Sequence, residues 1–171
     1  LIFDEILTGF RIATGGGQEF FNVVPDMSTF AKGIANGMPL GAIVGKKESM
    51  KIFDKVFVST TYGGEVLSLA ACNATINTFK EKKVIQHTWE MSSLLKEGFN
   101  KISKDINIDA QCIGYYPRLK LIFKDKKGQD SLLYKSLFIQ TLIENNIFMN
   151  PNTILLSFSH TKENISFTLK I

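Results

Sequence analysis

Short apolar runs that end in polar or glycine residues recur along the first half of the chain. They predict four strands, over residues 1–5, 27–32, 40–45 and 56–59. An amphipathic stretch over residues 46–55 predicts a short helix between the last two strands. The run "LIFDE" is typical of a buried parallel strand whose carboxyl end opens toward a cleft, where open α/β sheets bind ligands. This alternation predicts an α/β architecture.

The pattern changes in the second half of the chain. Apolar residues recur at helical spacing over residues 65–82 and 84–105, with a lysine cluster between the two helices. Further elements are predicted as strands over 118–125 and 153–160, a helix over 130–145 and a last helix capped by Thr161. We therefore predict one domain over residues 1–82 and a small α+β domain over residues 83–171.

Composition and charge argue against a membrane protein and against nucleic-acid binding. Of the 171 residues, 44% are hydrophobic and 21% are charged, and no apolar run approaches the roughly 18 residues that a spanning helix needs. The net charge of +4 comes from lysines scattered among acids rather than from a basic stripe. Cys72 and Cys112 have no CxxC partner, so we expect neither a metal site nor a disulfide, and a reducing, cytoplasmic location.

One lysine lies in an unusual setting, within residues 29–45, "TFAKGIANGMPLGAIVG". Lys32 precedes four glycines and a proline, in a stretch with almost no other charge. A nucleophilic lysine must be partly desolvated and held at a fixed point. Glycines let the backbone turn sharply and approach a flat ligand closely. On its own, the pattern is consistent with a catalytic lysine or with an ordinary turn residue.

Two further polar residues follow predicted strands. Asp4 ends the first strand and is the residue type that holds a protonated pyridine nitrogen. Thr61, in "STTYGG", lies between the fourth predicted strand and a helix, where a hydroxyl and backbone amides suit a phosphate. Taken singly, each is equally consistent with an ordinary cap or turn residue. The order of carboxylate, lysine and hydroxyl, each at a strand end, favours one shared site.

The chain contains three sequence blocks in a fixed order: "LIFDEILTGFR", "PDMSTFAKGIANGMPLGAIVG" and "TTYGGEVLSLAA". Together they resemble the class III pyridoxal-phosphate-dependent aminotransferases, and most of all the glutamate-1-semialdehyde aminomutase branch. The resemblance is specific over residues 1–75 and looser afterwards, where "LLSFSHTKENISFTLK" is similar to the family's C-terminal segment. It implies a PLP-dependent transferase fold of type I. Residues 1–82 would form the second half of the large domain, and residues 83–171 the small C-terminal α+β domain.

The resemblance also implies a role for each residue of the site. Asp4 would pair with the pyridine nitrogen of pyridoxal 5'-phosphate, and Lys32 would form a Schiff base with the cofactor and then shuttle the proton. Thr61 would bind the cofactor phosphate, in the family typically that of the neighbouring subunit of a homodimer, and Gly63 would keep the approach open. Glu5 would support the active-site wall. The implied reaction moves an amino group from a small amino donor to a keto or aldehyde acceptor.

Several questions stay open at this level. Glu65 and Val66 replace the asparagine and proline of many relatives, which leaves the substrate undecided. The same residues would serve an intramolecular aminomutase, and a structural module without cofactor is the non-enzymatic alternative. The chain opens inside a predicted strand and lacks the family's N-terminal half, so we expect a fragment that is catalytically incomplete alone. We predict structural roles for His87 and His160. For Arg118 we predict a surface or sheet-edge position, with binding of a substrate carboxylate by its guanidinium as the alternative.

Overall fold

The computed structural model describes residues 1–115 and 117–171, which form two compact units, Leu1–Ile85 and Gln86–Ile171. The sequence pattern predicts a division three residues earlier, after Lys82. The assignment of the two units to a large and a small domain stays a prediction. Within the residues that the structure describes, no helix combines the length and the apolar character needed to cross a membrane.

The first unit is built on a three-stranded sheet. Its strands are β1 (Ile2–Asp4), β2 (Met27–Phe30) and β3 (Ala42–Gly45), in the order β1-β2-β3. Strands β1 and β2 are parallel, with Asp4 opposite Thr29, whereas β3 is antiparallel to β2. The helices are α1 (Gly17–Phe20), α2 (Lys47–Met50) and α3 (Val66–Glu81), with 3-10 turns at Lys32–Ile34 and Lys51–Asp54.

A small apolar cluster fastens the Lys32–Ile34 turn to the sheet and to α3. Phe30, Ile34 and Ala35 are buried, and Phe10 and Cys72 pack against them. The other partly buried members of the cluster are Met38, Leu40 and Ala42. Because a buried side chain of this size stabilises a fold by about 1.5–3 kcal/mol, the cluster fixes the turn between β2 and β3 firmly in place.

Two predictions about this unit are wrong. Strand β1 is not buried: Ile2 is 66% exposed, because β1 pairs with β2 on one side only within the residues described. Residues 56–59 form no strand, and Phe57 in this segment is 95% exposed. A strand needs a neighbour to accept and donate its backbone hydrogen bonds, and the segment has none here. An apolar pattern by itself was therefore not sufficient to predict a strand here. Thr61 follows an irregular segment rather than a strand.

The second unit combines helices with an antiparallel sheet, as predicted for an α+β unit. Its sheet has the order β4-β5-β6, with β4 at Ala110–Ile113, β5 at Arg118–Phe123 and β6 at Ile154–Leu155. The helices are α4 (Val84–Asp105), which begins just before the unit boundary, α5 (Leu132–Glu144) and α6 (Lys162–Lys170). Strand β6 is much shorter than the predicted 153–160, and β4 was not predicted, because four residues carry too little periodicity.

Alternation along β5 explains how this sheet meets its core. Leu119, Leu121 and Phe123 point inward and join a buried cluster with residues of α4, β4, β6 and α6. Helix α6 begins at the predicted cap: the Thr161 hydroxyl accepts a hydrogen bond from the Asn164 amide, and the Asn164 side chain accepts one from the Thr161 amide. This reciprocal pair satisfies two amides that the first helical turn leaves free.

Both cysteines are free thiols. Cys112 lies in the core of the second unit, and its burial raises the pKa of the thiol to about 11. The Asn100 side chain bonds the amide and the carbonyl of Cys112, at 2.7 and 3.0 Å, on the edge of β4 that faces away from β5. Cys112 is therefore a structural residue with an unreactive thiol.

Candidate active site

Asp4 and Lys32 lie at the same edge of the first sheet. Asp4 is the last residue of β1 and stands opposite Thr29 of the parallel neighbour β2. Lys32 follows Thr29 by three residues and lies two residues after β2 ends at Phe30. Since neighbouring strands are about 4.8 Å apart and parallel strands end at the same side, the fold brings both residues to one carboxyl edge. This is the place where ligands bind in open α/β sheets.

The backbone at Lys32 is in a conformation that side chains rarely adopt. Its φ is 46°, in the left-handed region, after an extended Ala31. A non-glycine residue in this region costs on the order of 1–3 kcal/mol and persists only where the surroundings determine it. Here the surroundings are the buried Ile34 and Ala35, and the Lys32 carbonyl accepts a hydrogen bond of 3.0 Å from the Asn36 amide. The fold therefore forces the lysine into this turn.

The side chains of Asp4 and Lys32 are exposed and keep their reactive atoms available. One oxygen of Asp4, Oδ1, accepts a hydrogen bond of 3.0 Å from the Ile6 amide, which orients the carboxylate. In the part of the chain that the structure describes, neither Asp4 Oδ2 nor Lys32 Nζ has a hydrogen-bond or ion-pair partner. A carboxylate beside a primary amine is the set that suits a pyridine nitrogen and an aldehyde. The two residues thus fit pyridoxal phosphate chemically.

Glu5, next to Asp4, has a different environment. It is 1% exposed, and its carboxylate accepts hydrogen bonds from the amides of Gly17 and Gln18, each at 2.9 Å, and from the Thr8 hydroxyl. The sequence suggested a supporting role for Glu5 through the resemblance alone. What sequence could not reveal is the partner, because the two amides lie twelve and thirteen residues further along the chain.

Thr61 and Gly63 lie in an exposed turn before α3. Gly64 has a φ of 81°, which favours glycine, and a Cβ at Gly63 would lie 2.8 Å from Thr60 Oγ1. Glu65 caps α3, and its carboxylate accepts hydrogen bonds from the amides of Leu67 and Ser68, at 2.7 and 2.6 Å.

The Glu65 cap corrects one expectation about the Thr61 turn. The sequence suggested backbone amides between the predicted strand and the helix for a phosphate, but two amides of the first turn of α3, those of Leu67 and Ser68, already donate to the Glu65 carboxylate. Within the turn itself, the Gly63 amide donates to the Thr60 carbonyl and the Glu65 amide to the Tyr62 carbonyl. The Thr61 hydroxyl and the amides of Thr61 and Tyr62 are therefore among the groups left to meet an anion. No hydrogen bond or ion pair joins Thr61 to Asp4 or Lys32 among the described residues.

The remaining candidates belong to the second unit and contact its framework. Nε2 of His87 lies 2.8 Å from the carbonyl oxygen of His160, and the His160 ring accepts a hydrogen bond from the Ser157 amide. Arg118 is exposed at the start of β5, the middle strand of its sheet. Across residues 1–115 and 117–171, the structure contains no group of three acidic, histidine or cysteine side chains placed to hold a metal ion.

Residues 1–111 match the family model described as Aminotransferase class-III. Among curated relatives, the glutamate-1-semialdehyde 2,1-aminomutase of Methanococcoides burtonii is 34% identical over 99% of this chain. The chain covers 43% of that relative, so it spans less than half the length of the curated protein it matches. Asp4, Lys32, Thr61 and Gly63 all lie within the matched residues.

Solved structures share the fold of this chain. The FumI protein of Sphingopyxis sp. MTA144 matches with a TM-score of 0.92 and 20% identity, over 99% of this chain and 41% of that protein. A transaminase with PLP bound matches with a TM-score of 0.89 and 18% identity, over 99% of this chain and 42% of that protein. This likeness confirms the predicted PLP-dependent transferase fold of type I. With the family model matched over residues 1–111, it follows that the chain belongs to the aminotransferase class-III family.

Proposed function

We propose that the protein containing this chain is a pyridoxal-phosphate-dependent aminotransferase, which moves an amino group from a small amino donor to a keto or aldehyde acceptor. One observation carries the proposal: Asp4 ends β1 and Lys32 follows the end of the parallel neighbour β2, so both lie at one carboxyl edge of the sheet. Asp4 Oδ2 and Lys32 Nζ have no partner in the described part of the chain. Membership of the class-III family, whose members use this cofactor, supports it.

The two residues have complementary tasks in this proposal. Pyridoxal phosphate, when bound, supplies an electron sink for the charge left when a substrate carbon loses its proton. The Asp4 carboxylate would keep the pyridine nitrogen protonated, because a nearby negative charge favours the protonated form. Lys32 would hold the cofactor covalently through Nζ, and its amine, once released by the donor, would move the proton. Thr61 and Gly63 would provide contacts to the phosphate.

A second candidate activity is an intramolecular aminomutase of the glutamate-1-semialdehyde type. The observation that favours it is the 34% identity to a curated relative of that name. Both activities need the same carboxylate and the same lysine, so the site geometry does not separate them. Turnover of a single aminoaldehyde without an added acceptor would identify the aminomutase, and dependence on a second substrate would identify the transaminase. A structural module without cofactor is the third alternative, and the free Oδ2 and Nζ at one edge argue against it.

Chemical trapping tests the proposed role of Lys32. Borohydride reduction of the cofactor-loaded protein, followed by peptide mapping, should place the pyridoxyl group on Lys32. Lys46 and Lys47 are internal controls, because they are exposed as Lys32 is but follow the end of β3. Since β3 is antiparallel to β2, it ends at the opposite edge of the sheet. A label on either of these, or on no lysine, would contradict the proposal.

We also propose that the protein acts as a homodimer whose two subunits share each active site, with Thr61 serving the partner's cofactor. Two observations support this: Thr61 has no bond to Asp4 or Lys32 in the described part of its own chain, and apolar residues around it are widely exposed. Phe57 is 95% exposed and Val66 is 75% exposed. Burying such surface between subunits would stabilise a dimer.

Subunit mixing tests the sharing. Lys32→Ala and Thr61→Ala homodimers should each be nearly inactive. Mixed dimers of the two variants should regain activity, because one of their two sites contains both Lys32 and Thr61. If native mass spectrometry shows that mixed dimers form and activity does not return, the two residues do not serve a site shared in this way.

A reducing, cytoplasmic location is proposed as well. Cys72 and Cys112 are free thiols in different units of the chain, as is usual for proteins of a reducing compartment.

A further inference from the structure

The carboxylate of Glu5 is buried, and its hydrogen bonds lead to a distant loop. Oε1 accepts from the Gln18 amide and Oε2 from the Gly17 amide, both at 2.9 Å, and the Thr8 hydroxyl also donates to Oε2. Among the described residues no cation pairs with it. A buried carboxylate is costly unless its lone pairs are satisfied, and hydrogen bonds to an ionised group are about twice as strong as neutral ones. Glu5 therefore ties both ends of residues 8–18 to the end of β1.

The loop is shaped to receive this carboxylate. Gly16 has a φ of 77°, and a Cβ at this position would overlap the Glu5 carboxylate. A Cβ at Gly17 would lie 3.3 Å from Glu5 Oε1, tighter than an ordinary contact. The two glycines thus permit the backbone to approach the buried charge closely.

The same loop packs against the turn that presents Lys32. The Glu5 carbonyl accepts a hydrogen bond of 2.9 Å from the Gly9 amide. A Cβ at Gly9 would lie 2.5 Å from the Phe30 ring, and a Cβ at Gly33 would lie 3.5 Å from the Gly9 carbonyl oxygen. The Gly9 carbonyl and the Phe10 side chain therefore lie close to Gly33, the residue that follows Lys32.

The backbone of Glu5 completes the connection. Its amide donates to the Thr29 carbonyl at 2.8 Å, which extends the pairing of β1 and β2 one step beyond Asp4. Glu5 is thus joined through its amide to β2, through its carbonyl to Gly9, and through its side chain to residues 8, 17 and 18. These are the elements that flank Asp4 on one side and Lys32 on the other.

We propose that Glu5 is a positioning residue: by holding residues 8–18 in place, it sets the left-handed Lys32 turn and so the position of the lysine amine relative to Asp4. The proposal rests on the proposed function, since it assigns Lys32 the role of holding the cofactor. Glu5 itself does not touch the cofactor or the substrate. It acts through Gly9 and Phe10 on the Lys32 turn.

A glutamine at position 5 would keep the size of the side chain and break this arrangement. The two oxygens of Glu5 face two different amides, and both amides are donors. A glutamine side chain presents one oxygen and one NH2 group, so one of the two amides would face a donor and lose its partner. An amide left without a partner in a buried site is costly, and the loop would move away from β1.

The test uses the cofactor-loaded enzyme with Glu5→Gln, and with Glu19→Gln as the matched control. Glu19 lies in α1, next to residue 18 of the loop, and accepts a hydrogen bond from the Gly15 amide, but it is exposed and has no link to β1 among the described residues. Glu5→Gln should lower kcat between about tenfold and a hundredfold, because a displacement of about 1 Å has effects of this size. The KM for the amino donor should change far less. Glu19→Gln should stay within about twofold of wild type in both.

Two further measurements separate positioning from a general loss of stability. The pH midpoint at which the bound cofactor changes its absorbance should shift in Glu5→Gln, because the environment of the Lys32 amine changes, and should not shift in Glu19→Gln. Hydrogen exchange at Gly17 and Gln18 should accelerate in the Glu5 variant. Should Glu5→Gln fail to fold, Thr8→Val removes only the third hydrogen bond and should shift the same midpoint in the same direction by a smaller amount.

The outcomes are distinct. A folded Glu5→Gln or Thr8→Val enzyme whose absorbance midpoint and kcat equal those of wild type overturns the positioning role. That result leaves the proposed function intact as long as borohydride still labels Lys32 in the wild-type protein. Absence of the Lys32 label in wild type would instead overturn the proposed function, whatever the Glu5 variants do.

Discussion

Replacing Lys32 by alanine should abolish covalent attachment of the cofactor and lower turnover by on the order of a thousandfold or more. The estimate combines the loss of the nucleophile with the loss of the proton-transferring amine, and general acid–base catalysis by itself contributes about a hundredfold to ten-thousandfold. Alanine leaves the backbone turn little changed, because Lys32 already adopts a positive φ and Ala carries the same Cβ. The measurement is steady-state turnover together with the absorbance of the cofactor after gel filtration.

Lys47→Ala is the matched control, since Lys47 is an exposed lysine on the next helix of the same unit. It should turn over within about twofold of wild type, as surface substitutions usually change little. Addition of a small primary amine should restore part of the activity of Lys32→Ala, because a free amine can take over the proton transfer. Full activity of Lys32→Ala, with no amine added, would show that another residue is the nucleophile.

Removing the carboxylate of Asp4 should give the second large effect. A hydrogen bond between an ionised carboxylate and a protonated ring nitrogen contributes about 1.5–3 kcal/mol, and each ~1.4 kcal/mol in the transition state is a factor of ten in rate. Asp4→Ala should therefore slow turnover by about tenfold to a hundredfold or more. The loss should appear in kcat, because the charge on the ring develops its full effect only as the substrate carbon loses its proton.

Two variants make the Asp4 experiment specific. Asp4→Asn keeps the size and loses the charge, so it should resemble Asp4→Ala if the negative charge is what matters. Asp54→Asn removes an exposed carboxylate elsewhere in the same unit and should leave turnover within about twofold of wild type. If Asp4→Ala turns over within about threefold of wild type, some other group keeps the ring protonated.

Much of the secondary structure could be predicted because its cause is local. The apolar spacing over residues 84–105 predicts a helix with the bounds of α4, and the Thr161 cap marks the start of α6. Polar and apolar residues alternate over residues 118–125, and β5 lies within this range. Such patterns depend on neighbours within a few residues, which the sequence contains. Residues 56–59 have an equally apolar pattern but no strand to pair with in the described structure. Strand pairing depends on tertiary contacts, which a local pattern does not predict.

The candidate site likewise combines features that the sequence predicts with features that it does not. The types and the order of its residues, a carboxylate at the end of one strand and a lysine before a glycine-rich turn, were evident in the sequence, because chemistry is a property of each side chain. The left-handed conformation of Lys32, the meeting of Asp4 and Lys32 at one edge and the bonds from Glu5 to Gly17 and Gln18 were not. They depend on which strand pairs with which, and on a loop that returns to β1 after a dozen residues. Residue types and their order thus indicate the chemistry available to the site. Which of these residues meet depends on the folded chain, because hydrogen bonds and packing between distant segments exist only there.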